Sequence, residues 1–194
     1  AWVDAGVSLA VVNYDLCPAV SVAEIVRQML GASRWLWLHA EDYGMDEERL
    51  YVSGHSAGGH LTAMMMAAVW PAFDRRLPKD LFKGGLAISG IYDLRPMLQV
   101  DWLIGDLRLD EQSALKASPA FLPPATRAPV MTCVGGDESS EFKRQNALLR
   151  ERWKGAVAGD IAMPGTHHFS VLDGLAVPSS ALFTGARRLM QLDR

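Results

Sequence analysis

The 194-residue chain is long enough to bury one sizeable hydrophobic core, and we expect a single domain over residues 1–194. Its composition, 49% hydrophobic and 21% charged, is ordinary for a globular protein. The formal net charge is −3 and no lysine- or arginine-rich block occurs, which argues against a nucleic-acid partner. No apolar run reaches the roughly 18 residues that a membrane-spanning helix needs, so we expect no membrane partner either.

The first elements of the chain are a strand and a helix. Residues 7–14 form a nearly continuous apolar run, which is typical of a strand buried on both faces. Ser21 then precedes a helical spacing of apolar residues that ends near Gly44. Residues 1–6 resemble the last turn of a helix capped by Gly6, so we expect the domain to begin before Ala1.

Four further strands alternate with helices along the rest of the chain. The strands are predicted at residues 49–53, 84–89, 129–134 and Val157–Met163. Helices are predicted at residues 61–70, 139–153 and 179–192, with a short helix at 110–117. This alternation predicts an α/β fold: a mostly parallel sheet with helices on both faces.

The clearest chemical signal is the pentapeptide Gly54-His55-Ser56-Ala57-Gly58, which lies between a predicted strand and a predicted helix. In such a strand-to-helix turn the serine hydroxyl is presented to solvent, and the residues two before and two after it must be small. The backbone N–H of Ala57 is free at the helix start and can donate to an oxyanion. The alternative is an ordinary glycine-rich turn.

A nucleophilic serine needs a base, and His167 and His168 follow the last predicted strand. A metal site is not expected, because no third ligand has suitable spacing. The acid should follow a strand and precede the histidine, which favours Asp137 over its neighbour Glu138. Asp93 is a rival acid, and either aspartate could instead cap a helix.

These residues carry a resemblance to the hormone-sensitive-lipase-like branch of the α/β-hydrolases, and within it to the arylformamidases (kynurenine formamidases). The matching segments are NYDLCP (13–18), LYVSGHSAGGHLTAMMM (50–66), AISGIYDLRPM (87–97), Ser118-Pro119, GGDESSEF (135–142) and GTHHFSVLD (165–173). The resemblance implies Ser56 as nucleophile, Asp137 as acid and the histidine before Phe169, His168, as base. It also implies cofactor-independent cleavage of the formyl amide of N-formylkynurenine.

One element of the family pattern is missing. Members of this branch carry a His-Gly-Gly loop whose N–H groups complete the oxyanion hole, and no such motif occurs here. We expect it, with further N-terminal strands, to precede Ala1, so that Ala57 supplies only part of the oxyanion hole. We therefore expect the 194-residue chain alone to be poorly soluble or nearly inactive, since half an oxyanion hole costs roughly 10²–10³ in kcat.

The expected function is that of a serine hydrolase acting on a small-molecule ester or formamide. Residues 94–124 are expected to cover the pocket, where Met97 and Trp102 either contact substrate or pack the domain edge. The alternatives are a short-chain carboxylesterase and, from another class, a non-catalytic binding protein of the same fold. Cys17 and Cys133 are expected to be free thiols, which favours a cytoplasmic location. A homodimer is left open.

Overall fold

A computed structural model describes residues 1–192 of the chain. Its centre is a four-stranded sheet in the order β1-β2-β3-β4, and every neighbouring pair of strands is parallel. The strands are β1 (Val52–His55), β2 (Gly85–Ile88), β3 (Val130–Gly135) and β4 (Val157–Met163). The predicted parallel α/β architecture is therefore confirmed.

Seven α-helices accompany the sheet in the described part of the chain. They are α1 (Val22–Leu38), α2 (Ala57–Ala67), α3 (Trp70–Phe73), α4 (Asp101–Leu107), α5 (Glu111–Lys116), α6 (Ser140–Arg152) and α7 (Ala181–Leu189). Short 3-10 helices lie at Val3–Ala5, Glu41–Tyr43, Glu47–Arg49, Arg95–Gln99, Pro119–Phe121 and Ser170–Leu175.

Two hydrophobic clusters occupy the two faces of the sheet. Successive side chains of a strand point to opposite faces. Accordingly, Ala87 of β2 packs in a cluster with residues of α1, α2 and α6, whereas Leu86 and Ile88 pack in a second cluster with residues of α7. Helices thus cover both faces, as predicted, and the carboxyl ends of all four strands meet at one edge of the sheet.

The start of α1 agrees with its sequence signal and its end does not. The Ser21 hydroxyl accepts a hydrogen bond from the Glu24 backbone N–H at 3.1 Å, as an N-cap does. The helix stops at Leu38, well before Gly44. Gly44, with φ of 65°, instead ends the 3-10 helix that follows, in the left-handed conformation that glycine adopts without steric cost.

The strand predicted at residues 7–14 is wrong. These residues carry no sheet pairing, and their apolar side chains are largely exposed, Leu9 at 69% and Val11 at 87%. A groove of about 640 Å³ is lined by this segment and, on the β1 side, by Tyr51, Val52 and Ser53. Within residues 1–192 no backbone hydrogen bond joins the segment to β1. β1 is consequently an edge strand within residues 1–192.

Residues 94–124 form a separate small cluster that contacts α2 and α6. The predicted short helix is present as α5, with Asp110 and Ser113 capping it reciprocally. Leu94, Ala114 and Ala117 form the buried centre of this cluster. His60 of α2 ties the segment to the rest of the fold, since its Nε2 contacts the Ala117 carbonyl at 2.7 Å.

No helix within residues 1–192 is long and apolar enough to cross a membrane. Both cysteines are free, as predicted, and burial raises the pKa of Cys133 to about 12.

Candidate active site

Ser56 occupies a strained turn between β1 and α2. Its backbone has φ of 57° and ψ of −115°, a conformation that residues other than glycine rarely adopt. The turn is held by hydrogen bonds from the Ser56 N–H to the Ile88 carbonyl, 2.9 Å, and from the His60 N–H to the Ser56 carbonyl, 3.1 Å. Because α2 begins at Ala57, the Ala57 N–H has no partner within the helix and is available to an oxygen beside Ser56.

Two glycines make this turn sterically feasible, and they are not the pair expected. A Cβ on Gly54 would lie 2.3 Å from the Gly58 carbonyl oxygen, and a Cβ on Gly59 would lie 2.7 Å from Gly90 Cα. A Cβ on Gly58 would meet nothing within 4 Å. The turn therefore requires a residue without a side chain at Gly54 and at Gly59. The prediction that position 58 also needs a small residue is wrong. The backbone of Gly58 crowds Gly54, but a side chain at position 58 would have free space.

This asymmetry gives a paired test of the turn. Gly54→Ala should lower the free energy of unfolding by on the order of 1–3 kcal/mol, because the added methyl meets backbone atoms that cannot move aside. Gly58→Ala, the matched control in the first turn of α2, should unfold at or above the temperature of the unsubstituted protein. Thermal unfolding followed by circular dichroism measures both; equal destabilisation of the two variants would contradict the geometry.

The carboxylate that meets His168 is Glu138 and not Asp137. His168 Nδ1 lies 2.8 Å from Glu138 Oε2, and the Glu138 side chain is fully buried. Asp137 is exposed, and its backbone N–H donates to the Thr166 carbonyl at 2.9 Å. The expected pairing of His168 with Asp137 is therefore wrong. The physical reason is the turn after β3, closed by the Glu138 N–H on the Gly135 carbonyl at 3.1 Å, which leaves Asp137 at its exposed corner.

Buried Glu138 is held by donors on both oxygens. Its Oε1 accepts from the Ser89 hydroxyl at 2.5 Å and from the Gly135 N–H at 2.8 Å, which leaves Oε2 for His168. A buried carboxylate without such partners would be costly.

The rival acid and the rival base are both engaged elsewhere. Asp93 accepts two hydrogen bonds from the Arg95 guanidinium, each at 2.9 Å. The Nδ1 of exposed His167 accepts from the backbone N–H groups of Phe169 and Ser170. Of the two adjacent histidines, His168 is thus the one that meets a buried carboxylate.

Aromatic rings surround His168. Phe142 stacks on it with 4.2 Å between ring centroids, and the His55 ring lies 4.4 Å away. Burial lowers the pKa of His55, and the neighbouring His168 lowers it further. A neutral His55 therefore places no second charge beside His168. Residues 1–192 contain no direct hydrogen bond between Ser56 Oγ and His168, so His55, adjacent to Ser56, is the side chain that connects the turn to His168.

Met97 and Trp102 lie in the 94–124 segment. Met97 is half-buried and packs against the cluster of Leu94, Ala114 and Ala117. Trp102, on α4, is 76% exposed. A role of either residue in binding substrate stays a prediction.

Sequence reasoning missed Ser89 and Phe142 and ranked Glu138 too low. Ser89 carried a readable signal, since it is a polar residue that directly follows the fully buried β2. Nothing in the local pattern singled out Phe142. Within residues 1–192, no group of three or more His, Cys, Asp or Glu side chains could hold a metal ion.

Comparisons with known proteins identify relatives of this chain. The family model BD-FAE matches residues 1–94. A kynurenine formamidase from Salmo salar is 29% identical over 182 residues, 88% of this chain and 58% of that protein. A kynurenine formamidase from Danio rerio is 32% identical over 136 residues, 65% of this chain and 44% of that protein. The chain thus spans about half the length of these relatives.

A solved structure of high similarity comes from Silicibacter sp. TM1040, where the protein is provisionally assigned as a thioesterase. It superposes with a TM-score of 0.73 at 32% identity, over 89% of this chain and 61% of that one. The chain has the α/β-hydrolase fold and is similar to kynurenine formamidases. In this fold, the turn at Ser56 and the pair of His168 with Glu138 both lie at the carboxyl edge of the sheet, where open α/β sheets bind ligands.

Proposed function

We propose that this α/β-hydrolase cleaves a small acyl group through an acyl-enzyme, with Ser56 as nucleophile, His168 as base and Glu138 as the acid. The observation that carries the proposal is the buried Glu138 carboxylate on His168 Nδ1, at the same edge of the sheet as a serine in a strained strand-to-helix turn. A purely structural turn would need neither the strain at Ser56 nor a buried carboxylate.

In the proposed reaction the Ser56 hydroxyl oxygen bonds to the substrate carbonyl carbon. At the same time His168 Nε2 accepts the proton of the Ser56 hydroxyl. Glu138 accepts from Nδ1–H, which fixes the tautomer and stabilises the imidazolium. The Ala57 N–H donates to the oxyanion. His168 then gives its proton to the leaving group. Water, deprotonated in turn by His168, releases the acyl group and restores Ser56.

For the substrate we propose the formyl amide of N-formylkynurenine. The support is the name shared by the two fish relatives, kynurenine formamidase. A short-chain ester or thioester is the second candidate, because one relative is a lipase from Moraxella and the Silicibacter structure is provisionally a thioesterase. The proposed reaction needs no cofactor, since protein groups supply the nucleophile, base and acid.

The experiment uses the full-length protein and compares kcat/KM on N-formylkynurenine with kcat/KM on p-nitrophenyl acetate, with Ser56→Ala as the control for both. A higher value on N-formylkynurenine supports the formamidase, and the reverse supports the esterase. Labelling by a fluorophosphonate probe, abolished in Ser56→Ala, separates either enzyme from a non-catalytic binding protein. A protein that neither turns over these substrates nor takes the label would refute the proposal.

We also propose that residues 94–124 border the substrate pocket and that Trp102 contacts the substrate. Its exposure leaves an indole face available to an aromatic amine. Trp102→Ala should raise KM for N-formylkynurenine and leave kcat unchanged, which steady-state kinetics measures. An unchanged KM would place Trp102 outside the pocket.

A further inference from the structure

Ser89 stands directly after β2 and is completely buried. Its backbone has φ of 48°, in the left-handed region, where a residue with a Cβ is sterically disfavoured relative to glycine. The Ser89 N–H donates to the Cys133 carbonyl of β3 at 2.8 Å, so the backbone is anchored in this conformation. Glycine would adopt it at lower cost, so the serine side chain calls for an explanation of its own.

The hydroxyl provides that explanation. Ser89 Oγ donates to Glu138 Oε1 at 2.5 Å, and the Gly135 N–H donates to the same oxygen at 2.8 Å. These two donors fix the rotation of the carboxylate plane, so that Oε2 is directed at His168 Nδ1, 2.8 Å away. A hydrogen bond to an ionised carboxylate is stronger than a neutral one and is most valuable where water is excluded.

We infer that Ser89 is a positioning residue for hydrolysis, acting through Glu138 on His168. The inference rests on the proposed function, since it assigns Ser89 a role in the same reaction. Ser89 directly follows β2, and its hydroxyl binds the Glu138 oxygen that does not contact His168, so it affects how Glu138 holds His168 and not how substrate binds.

Two variants separate the hydroxyl from the backbone. Ser89→Ala removes the hydroxyl and keeps the disfavoured φ, whereas Ser89→Gly removes the hydroxyl and relieves the φ. Both should lower kcat on the better substrate roughly tenfold with KM unchanged, the size expected for losing one charge-assisted hydrogen bond. Ser89→Gly should melt at a higher temperature than Ser89→Ala. If kcat instead recovered in Ser89→Gly together with the melting temperature, the role of Ser89 would be structural. That result would overturn the inference.

A double-mutant cycle completes the test. Glu138→Ala should lower kcat by itself, and adding Ser89→Ala to it should cause no further loss, because the hydroxyl then has no carboxylate to orient. If Glu138→Ala kept full activity, the proposed function would fail and the role of Ser89 with it. If Glu138→Ala were impaired while Ser89→Ala stayed fully active, or lowered kcat equally in both backgrounds, only the inference about Ser89 would fail.

Discussion

Ser56→Ala is expected to lower kcat by on the order of 10⁶-fold, because the oxygen that forms the acyl-enzyme is removed. The fold should be unaffected. Alanine has the same backbone preferences as serine at φ of 57°, and Ser56 makes no hydrogen bond through its side chain as an N-cap of α2. The measurement is a steady-state assay on the better substrate, with circular dichroism to confirm that the variant is folded.

Ser53→Ala is the matched control for this variant. Ser53 lies in β1, three residues before Ser56, and its side chain is exposed and lines the groove. It should retain full activity. More than a tenth of the original activity left in Ser56→Ala would show that Ser56 is not the nucleophile.

Glu138→Gln is expected to lower kcat by roughly 10⁴-fold, the loss typical when the acid of such a triad becomes an amide. The amide keeps the size of the side chain but no longer stabilises an imidazolium or enforces the tautomer that leaves Nε2 unprotonated. The structure places this carboxylate 2.8 Å from His168 Nδ1. Rates on N-formylkynurenine and p-nitrophenyl acetate measure the effect.

Asp137→Asn makes the same chemical change one residue away. Asp137 is exposed and contributes a backbone N–H to the turn, which asparagine retains, so activity should be nearly unchanged. Should the large loss appear in Asp137→Asn and not in Glu138→Gln, the acid would be Asp137 after all.

The sheet could be predicted from sequence because short, largely apolar segments, as in β2 and β3, alternate with helical segments. The strand at Val157–Met163 was placed to the residue, and the parallel arrangement followed from the alternation of strands and helices. The segment 7–14 has the same apolar character and forms no strand. Pairing depends on a neighbouring strand at hydrogen-bonding distance, and an apolar run does not by itself encode that neighbour.

The candidate site could be predicted only where it depends on residues that are consecutive in the sequence. The turn at Ser56 is a local motif, so five consecutive residues identify it. The choice between Asp137 and Glu138 depends on which side chain the turn after β3 directs inward, and that is set by backbone hydrogen bonds at Gly135. Asp137 and Glu138 both follow a strand and precede the histidine, so sequence position does not distinguish them. The partnership of Glu138 with Ser89, 49 positions apart, is equally invisible in a local pattern.

The left-handed backbone at Ser56 and Ser89 has a consequence for engineering this protein. Both positions hold serine where glycine would be conformationally cheaper, so the folded state gives up stability at two points that serve the proposed reaction. A library selected for heat resistance alone would enrich glycine at Ser56, where no side-chain capping hydrogen bond offsets the backbone strain, and return robust but inert proteins. Directed evolution of this protein therefore has to select for turnover and thermal tolerance in the same round.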